Sequence, residues 1–83
     1  MDIIEELILA VYAYVPASSS GIYNFRMYLL KEIFGIEPDM LDTVKTKLLK
    51  ERKISAANRL LLKKGVPNFD EAVHKYHCFL LDL

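Results

Sequence analysis

Eighty-three residues, 53% hydrophobic and 27% charged, with three Gly and three Pro, exclude a disordered tail, a flexible linker and a fibre. One cysteine excludes a disulfide scaffold and leaves too little sulfur for a zinc finger. Formal net charge is zero, but residues 1–42 carry two basic against seven acidic side chains and residues 43–83 carry nine against four, so the chain is dipolar. A compact domain normally takes about 100 to 150 residues, so residues 1–83 read as one small domain with an apolar-rich core.

Asp2–Val15 has a helical period, with acidic residues in the first turn where they suit the helix dipole. Its stretch Leu7–Val15 is apolar all round, so neighbours or a second copy of the chain should cover it. Small residues follow at Ala17-Ser18-Ser19-Ser20, a pattern resembling a signal peptide. Asp2, Glu5 and Glu6 nevertheless stand where such a peptide needs positive charge. A membrane span needs about 20 apolar residues, and Pro16 stops the run first. The expectation is a core or dimer-interface helix and an intracellular protein, with no membrane partner.

Pro16–Gly21 reads as a loop, with Ser19 or Ser20 able to cap the next helix, Ile22–Phe34. Ile22, Phe25, Leu29, Leu30 and Ile33 form its inner face, broadened by Tyr23, Met27 and Phe34, and Arg26 points into the middle of that arc. A buried arginine needs a partner, which Glu5 or Glu6 could supply; a stem lying along the core edge is the commoner arrangement. Gly35 breaks the helix, and Pro38 suits the first position of the next. Ile36 and Leu41 are spaced as a hydrophobic staple around that start. The third helix is expected to run to about Lys53, with Met40, Leu41, Val44 and Leu48 inward and Thr43, Thr46, Lys47, Lys50 and Lys53 outward.

The last third admits two readings. In the helical one, Ser55 caps a short helix, Ala56–Lys64, that Gly65 ends, and Asn68 with Glu71 opens a final helix as a capping box. Phe69, Ala72, Val73, Tyr76, Leu80 and Leu83 recur at helical spacing along it. In the strand reading, Arg59–Leu62 pairs with Tyr76–Leu81 as a short β element. The favoured fold class is all-α: a small bundle of about five helices, with a short β wing within residues 54–81 as the alternative.

Little points to catalysis. His74 and Cys78 are neighbours on the final helix, but one helix face supplies two good metal ligands at most, and zinc wants three or four converging from at least two elements. Cysteine catalysis also needs an oxyanion donor and a walled cleft, and no glycine-rich turn lies nearby. No phosphate loop, G-x-S-x-G or HExxH occurs, and the paired carboxylates fall in first helical turns, where capping accounts for them. No enzyme activity, metal, cofactor or small-molecule ligand is expected.

Residues 43–64 carry eight cations against Glu51 alone. Two helices meeting at the Gly35 turn, with Leu30, Phe34, Ile36, Leu41 and Val44 at the buried positions, resemble the helix-turn-helix of DNA-binding proteins. The stretches "SSSGIYNFRMYLLKEIF" and "TVKTKLLKERKIS" are similar to the second helix and the recognition helix of winged-helix domains. This resemblance covers about residues 2–55. It implies a DNA-binding protein, such as a transcriptional regulator, with Thr43, Thr46, Lys47, Lys50 and Lys53 facing a groove. Arg59, Lys63 and Lys64 would add backbone contacts.

The rival reading is a protein-interaction module, an adaptor or inhibitor, that meets an acidic protein surface through the same basic face. "NFDEAVHKYHCFLLDL" is similar to the second helix of a tetratricopeptide unit, although a solenoid needs about three stacked units. The apolar first helix, with Tyr12, Tyr14, Tyr23 and Tyr28 nearby, suits a homodimer or a partner groove.

Overall fold

A computed structural model describes residues 2–17 and 24–82. Four helices account for most of them: α1 (Ile3–Tyr14), α2 (Phe25–Tyr28), which continues into a π-helical segment (Leu29–Ile33), α3 (Pro38–Lys50) and α4 (Phe69–Leu81). Between α3 and α4 lies a single antiparallel bridge, Ile54 to Leu60, too short to make a strand. The all-α expectation holds with four helices rather than five. None of the described helices is long and apolar enough to cross a membrane.

The unbroken apolar run makes α1 the centre of the fold. Leu7, Ile8, Leu9, Ala10 and Val11 are all 0% exposed. No amphipathic helix can bury five consecutive side chains, since one face would meet water; α1 does so because the rest of the chain wraps it. Leu7–Tyr12 and Val15 are therefore covered within one chain, while Ala13 and Tyr14 stay exposed, Tyr14 by 58%. Helix α4 packs antiparallel along it: the Tyr14 and Phe69 rings lie 6.1 Å apart at one end, and Lys75 Nζ meets Glu6 Oε2 at 3.5 Å further along. The α4 start forms as its sequence dictates, with the Asn68 side chain accepting from the Glu71 N–H at 3.1 Å. Phe69 and Val73 pack against the core and Ala72 and Tyr76 are buried, but Leu80 is exposed because it lies near the end of the helix. Leu83 lies outside the described residues, as do Ser19, Ser20, Ile22 and Tyr23.

The second helix departs from its expected face. Leu30 is fully buried, but Phe25 and Ile33 are exposed, Ile33 by 56%. The cause of Ile33's placement is the π turn, in which the Phe34 N–H returns to Leu29 O and the Ile36 N–H to Leu30 O. This wider turn rotates the chain less per residue, so Ile33 falls short of the face that Leu30 occupies. Phe34 ends this segment, so its carbonyl has no helical partner and accepts from the Tyr76 hydroxyl at 2.6 Å, with the two rings edge to face. Gly35 follows at φ +69°, the left-handed turn conformation that glycine favours, and Pro38 opens α3 as expected. Ile36 and Leu41, the two staple residues, are both in the buried cluster.

Helix α3 buries Leu41, Val44 and Leu48, while Met40 is half exposed. It stops at Lys50 rather than Lys53. The Lys53 N–H bonds to Leu48 O and the Arg52 N–H to Leu49 O, a Schellman closure with Arg52 at φ +57° in the place glycine usually takes.

Residues 56–64 form no helix. Ser55 Oγ accepts from the Arg59 N–H, Ser55 O accepts from the Asn58 N–H, and Asn58 sits at φ +61°. These bonds close a tight hairpin whose arms meet at Ile54 and Leu60. Serine thus caps a turn here instead of a helix, a role its hydroxyl serves equally well. Leu60 and Leu62 pack on the core while Leu61 points out, the alternation of an extended segment. The strand reading therefore has the right local conformation for residues 59–62 but the wrong partner, since Tyr76–Leu81 belongs to α4.

Arg26 locks these parts together. It is 7% exposed, and neither Glu5 nor Glu6 is its partner. Its Nε donates to Val15 O at 2.8 Å, Nη2 to Tyr12 O at 2.9 Å and Nη1 to Asn58 O at 2.6 Å. The guanidinium lies 4.4 Å from the Tyr12 ring centroid, and the Tyr12 hydroxyl reaches Asn58 Oδ1 at 3.3 Å. Burial raises the Tyr12 phenol's pKa above its ordinary value, with Arg26 opposing. Replacing Arg26 by Met would leave three buried or half-buried carbonyls unpaired. The expected loss is about 3–5 kcal/mol in urea unfolding, and a loss below about 1 kcal/mol would show that water replaces the guanidinium.

Candidate nucleic-acid interface

The outer face of α3 carries Thr43, Thr46, Lys47 and Lys50, all exposed, and with Asp42 they line an open groove of about 480 Å³. Period alone places them there, because Leu41, Val44 and Leu48 occupy the opposite side. The groove is not uniformly basic. Glu37, Asp39 and Asp42 are exposed at the start of α3 and repel phosphate, so the favourable potential lies toward its C-terminal half. The Thr43 hydroxyl spends its one proton on Asp39 O at 2.9 Å and has none left to donate to a phosphate while that bond holds.

Lys53 lies beyond α3, half-buried, its Nζ 3.1 Å from Glu51 Oε1. Its carbonyl accepts from the Leu61 N–H, which puts it at the base of the hairpin. Lys63 and Lys64 follow that base, both exposed, and lead into Gly65, which shares a cavity of about 330 Å³ with Glu6 of α1. Arg59 is exposed at the other extreme of the hairpin, next to Asn58 and so beside the C-terminal end of α1. The Lys53–Leu61 bond thus returns the chain that leads to Lys63 and Lys64 to the end of α3, while Arg59 sits beside the hairpin turn.

Arg52 is a cation that the helical period did not single out. It is exposed, has no ion pair among the described residues and projects from the left-handed residue that closes α3. Its place in the basic run was the available signal; its backbone conformation was not readable from spacing.

Glu5 was also missed as part of this face. Its carboxylate is 3% exposed, and Lys47 Nζ lies 2.6 Å from its Oε1. The contact is an ion pair outside hydrogen-bond angles, so this buried oxygen has no aligned donor. Lys47 holds the Glu5 carboxyl below its ordinary pKa against the opposing effect of burial, and Glu5 in turn raises the Lys47 ammonium. The sequence marks Glu5 only as an acidic residue in a first helical turn.

On α4, Cys78 Sγ lies 3.6 Å from His74 Nε2, both exposed, and the His77 ring packs near Phe34 and Tyr76. Among the described residues no three His, Cys, Asp or Glu side chains converge as a metal-binding group.

The depressed Glu5 pKa makes stability depend on acid. Its contribution is complete above about pH 4.5, the unfolded value, and is lost as pH falls through the lower folded value. Thermal melts between about pH 6 and pH 3 should therefore fall less steeply for Glu5→Gln than for the wild type. Parallel acid limbs would show that the pair does not couple to folding.

Searches of protein-family models, of curated proteins and of solved structures found no match to this chain.

Proposed function

We propose that the protein binds nucleic acid, with duplex DNA as the target class, through the C-terminal half of α3 and the hairpin base. The observation that carries this reading is the position of the unpaired cations. Lys50, Arg52, Lys63 and Lys64 are exposed and have no ion pair among the described residues, and the bond from the Leu61 N–H to Lys53 O brings the chain just before Lys63 back to the end of α3. The order of elements supports it too: three helices with a glycine turn between the second and third, then a tight hairpin, is the layout expected of a winged-helix domain. An intracellular location agrees with this role.

The mechanism is charge-driven. Lysine and arginine ends replace condensed counterions on the phosphate backbone, so affinity falls with salt by a log–log slope of about −0.9 per phosphate met. Glu37, Asp39 and Asp42 keep the first turns of α3 away from the backbone, which puts Thr46 and Lys50 nearest the groove. Lys47 stands between them but is already paired with Glu5. Lys53, paired with Glu51, contributes less than the unpaired cations, and Arg59 adds a backbone contact from beside the hairpin turn.

Anisotropy titrations of a mixed-sequence duplex and a single strand, each at about 50 and 200 mM salt, test this reading. Steep weakening with salt is expected for the duplex. Lys50→Ala with Lys63→Ala should flatten the slope by about 1.8 and weaken all sequences alike. Absence of binding at the lower salt would transfer the basic surface to an acidic protein partner.

Arg52 supplies a separate check. A non-glycine residue in the left-handed conformation is strained by about 1–2 kcal/mol, so Arg52→Gly should stabilise the fold by about 1 kcal/mol. The same change removes an exposed cation, so duplex affinity should fall as the melting temperature rises. A variant that gains stability with unchanged binding would take Arg52 out of the interface.

A further inference from the structure

Lys47 lies at the centre of the α3 groove, yet its ammonium is already engaged by a carboxylate that comes from the core side. Glu5 approaches to 2.6 Å, and Asp2 and Glu51 add negative potential at the same ammonium. Phosphate would have to displace a partner that is closer than most surface ion pairs and that cannot move away, because Glu5 is 3% exposed on the first turn of the helix at the centre of the fold. Withdrawal of Lys47 would leave Glu5 Oε1 buried with neither an ion pair nor a hydrogen-bond donor. Lys53 is the other cation acting on Glu5, but its own ammonium is 3.1 Å from Glu51.

We propose that Glu5 is an internal competitor for phosphate: it occupies Lys47, holds it out of the polyanion interface and so sets the affinity of the site below what its cations could provide. This inference rests on the nucleic-acid-binding reading and adds to it a regulating residue outside the basic segment. Glu5 acts as a positioning residue, through Lys47, and touches no nucleic acid itself.

A solely structural Glu5 would make its variants bind as the wild type does, or more weakly through loss of fold. The proposal predicts a gain. Glu5→Gln should bind a mixed duplex of about 20 base pairs roughly fivefold more tightly at about 50 mM salt, with a salt slope steeper by about 0.9, as one added phosphate contact requires. Adding Lys47→Met to Glu5→Gln should abolish the gain, whereas a general effect of removing one negative charge would persist in the double variant. Glu5→Asp, which draws the carboxylate back by one methylene at constant charge, should shift affinity in the same direction and serves if the glutamine variant folds poorly.

Acetylation of the Lys47 amine, followed by mass spectrometry of the free protein, gives a readout independent of nucleic acid and should be faster in both variants. Faster acetylation with unchanged duplex affinity would overturn the proposal while leaving the nucleic-acid reading intact. No duplex binding by wild type or variant, with Lys47 acetylated faster, would overturn both, and the acetylation result would trace that failure to the interface and not to the ion pair.

Discussion

The arrangement depends first on one buried guanidinium. A short chain has few ways to hold a hairpin against a helix bundle, and Arg26 does it by donating to Tyr12 O, Val15 O and Asn58 O at once. Two of those carbonyls belong to the last turn of α1 or its C-cap, where the helix dipole concentrates negative charge and where α1 has no basic residue of its own. The planar five-donor fork suits this site in a way that a lysine ammonium does not. Because the third carbonyl is on the hairpin turn, the same side chain that caps α1 also decides where residues 54–60 lie.

The two ends of α1 are treated in complementary ways. Its C-terminal carbonyls receive a cation from α2, and its N-terminal turn sends a carboxylate toward a cation on α3. Between them, the fully buried run from Leu7 to Val11 supplies apolar burial, worth about 1.5–3 kcal/mol for each large side chain. The charged groups at the ends add direction to that burial. They orient the elements around α1 and, through Lys47, connect the core to the surface that carries the candidate function.

That connection changes how the basic segment is read. Counted along the sequence, residues 43–64 are a nearly uniform positive run. Folded, Lys47 and Lys53 are partly neutralised by Glu5 and Glu51, Arg59 stands beside the hairpin turn, and Arg52 becomes the exposed residue that closes α3. The exposed cations with no ion pair among the described residues are therefore fewer than the run contains.

The sequence by itself determined four of the five expected helices; residues 56–64 form none, and α3 stops at Lys50 rather than Lys53. Asn68 and Pro38 act locally, as cap and first-turn residues, and the spacing of Leu41, Val44 and Leu48 leaves one inward face for α3. The all-round apolar character of α1 announced that it would be covered, and the outward placement of Thr46, Lys47 and Lys50 followed from period alone. Only the tertiary structure decided what covers α1, which way Ser55 turns the chain, and which partners Arg26 and Glu5 take. A serine followed by Ala56-Ala57-Asn58-Arg59 is compatible with a helix cap or a hairpin turn, and the choice goes to the hairpin because Asn58 O can then meet Arg26 and Leu60 can reach the core. The ion pair of Glu5 with Lys47 joins residues 42 positions apart, and local spacing carries no information about contacts made by folding at that distance.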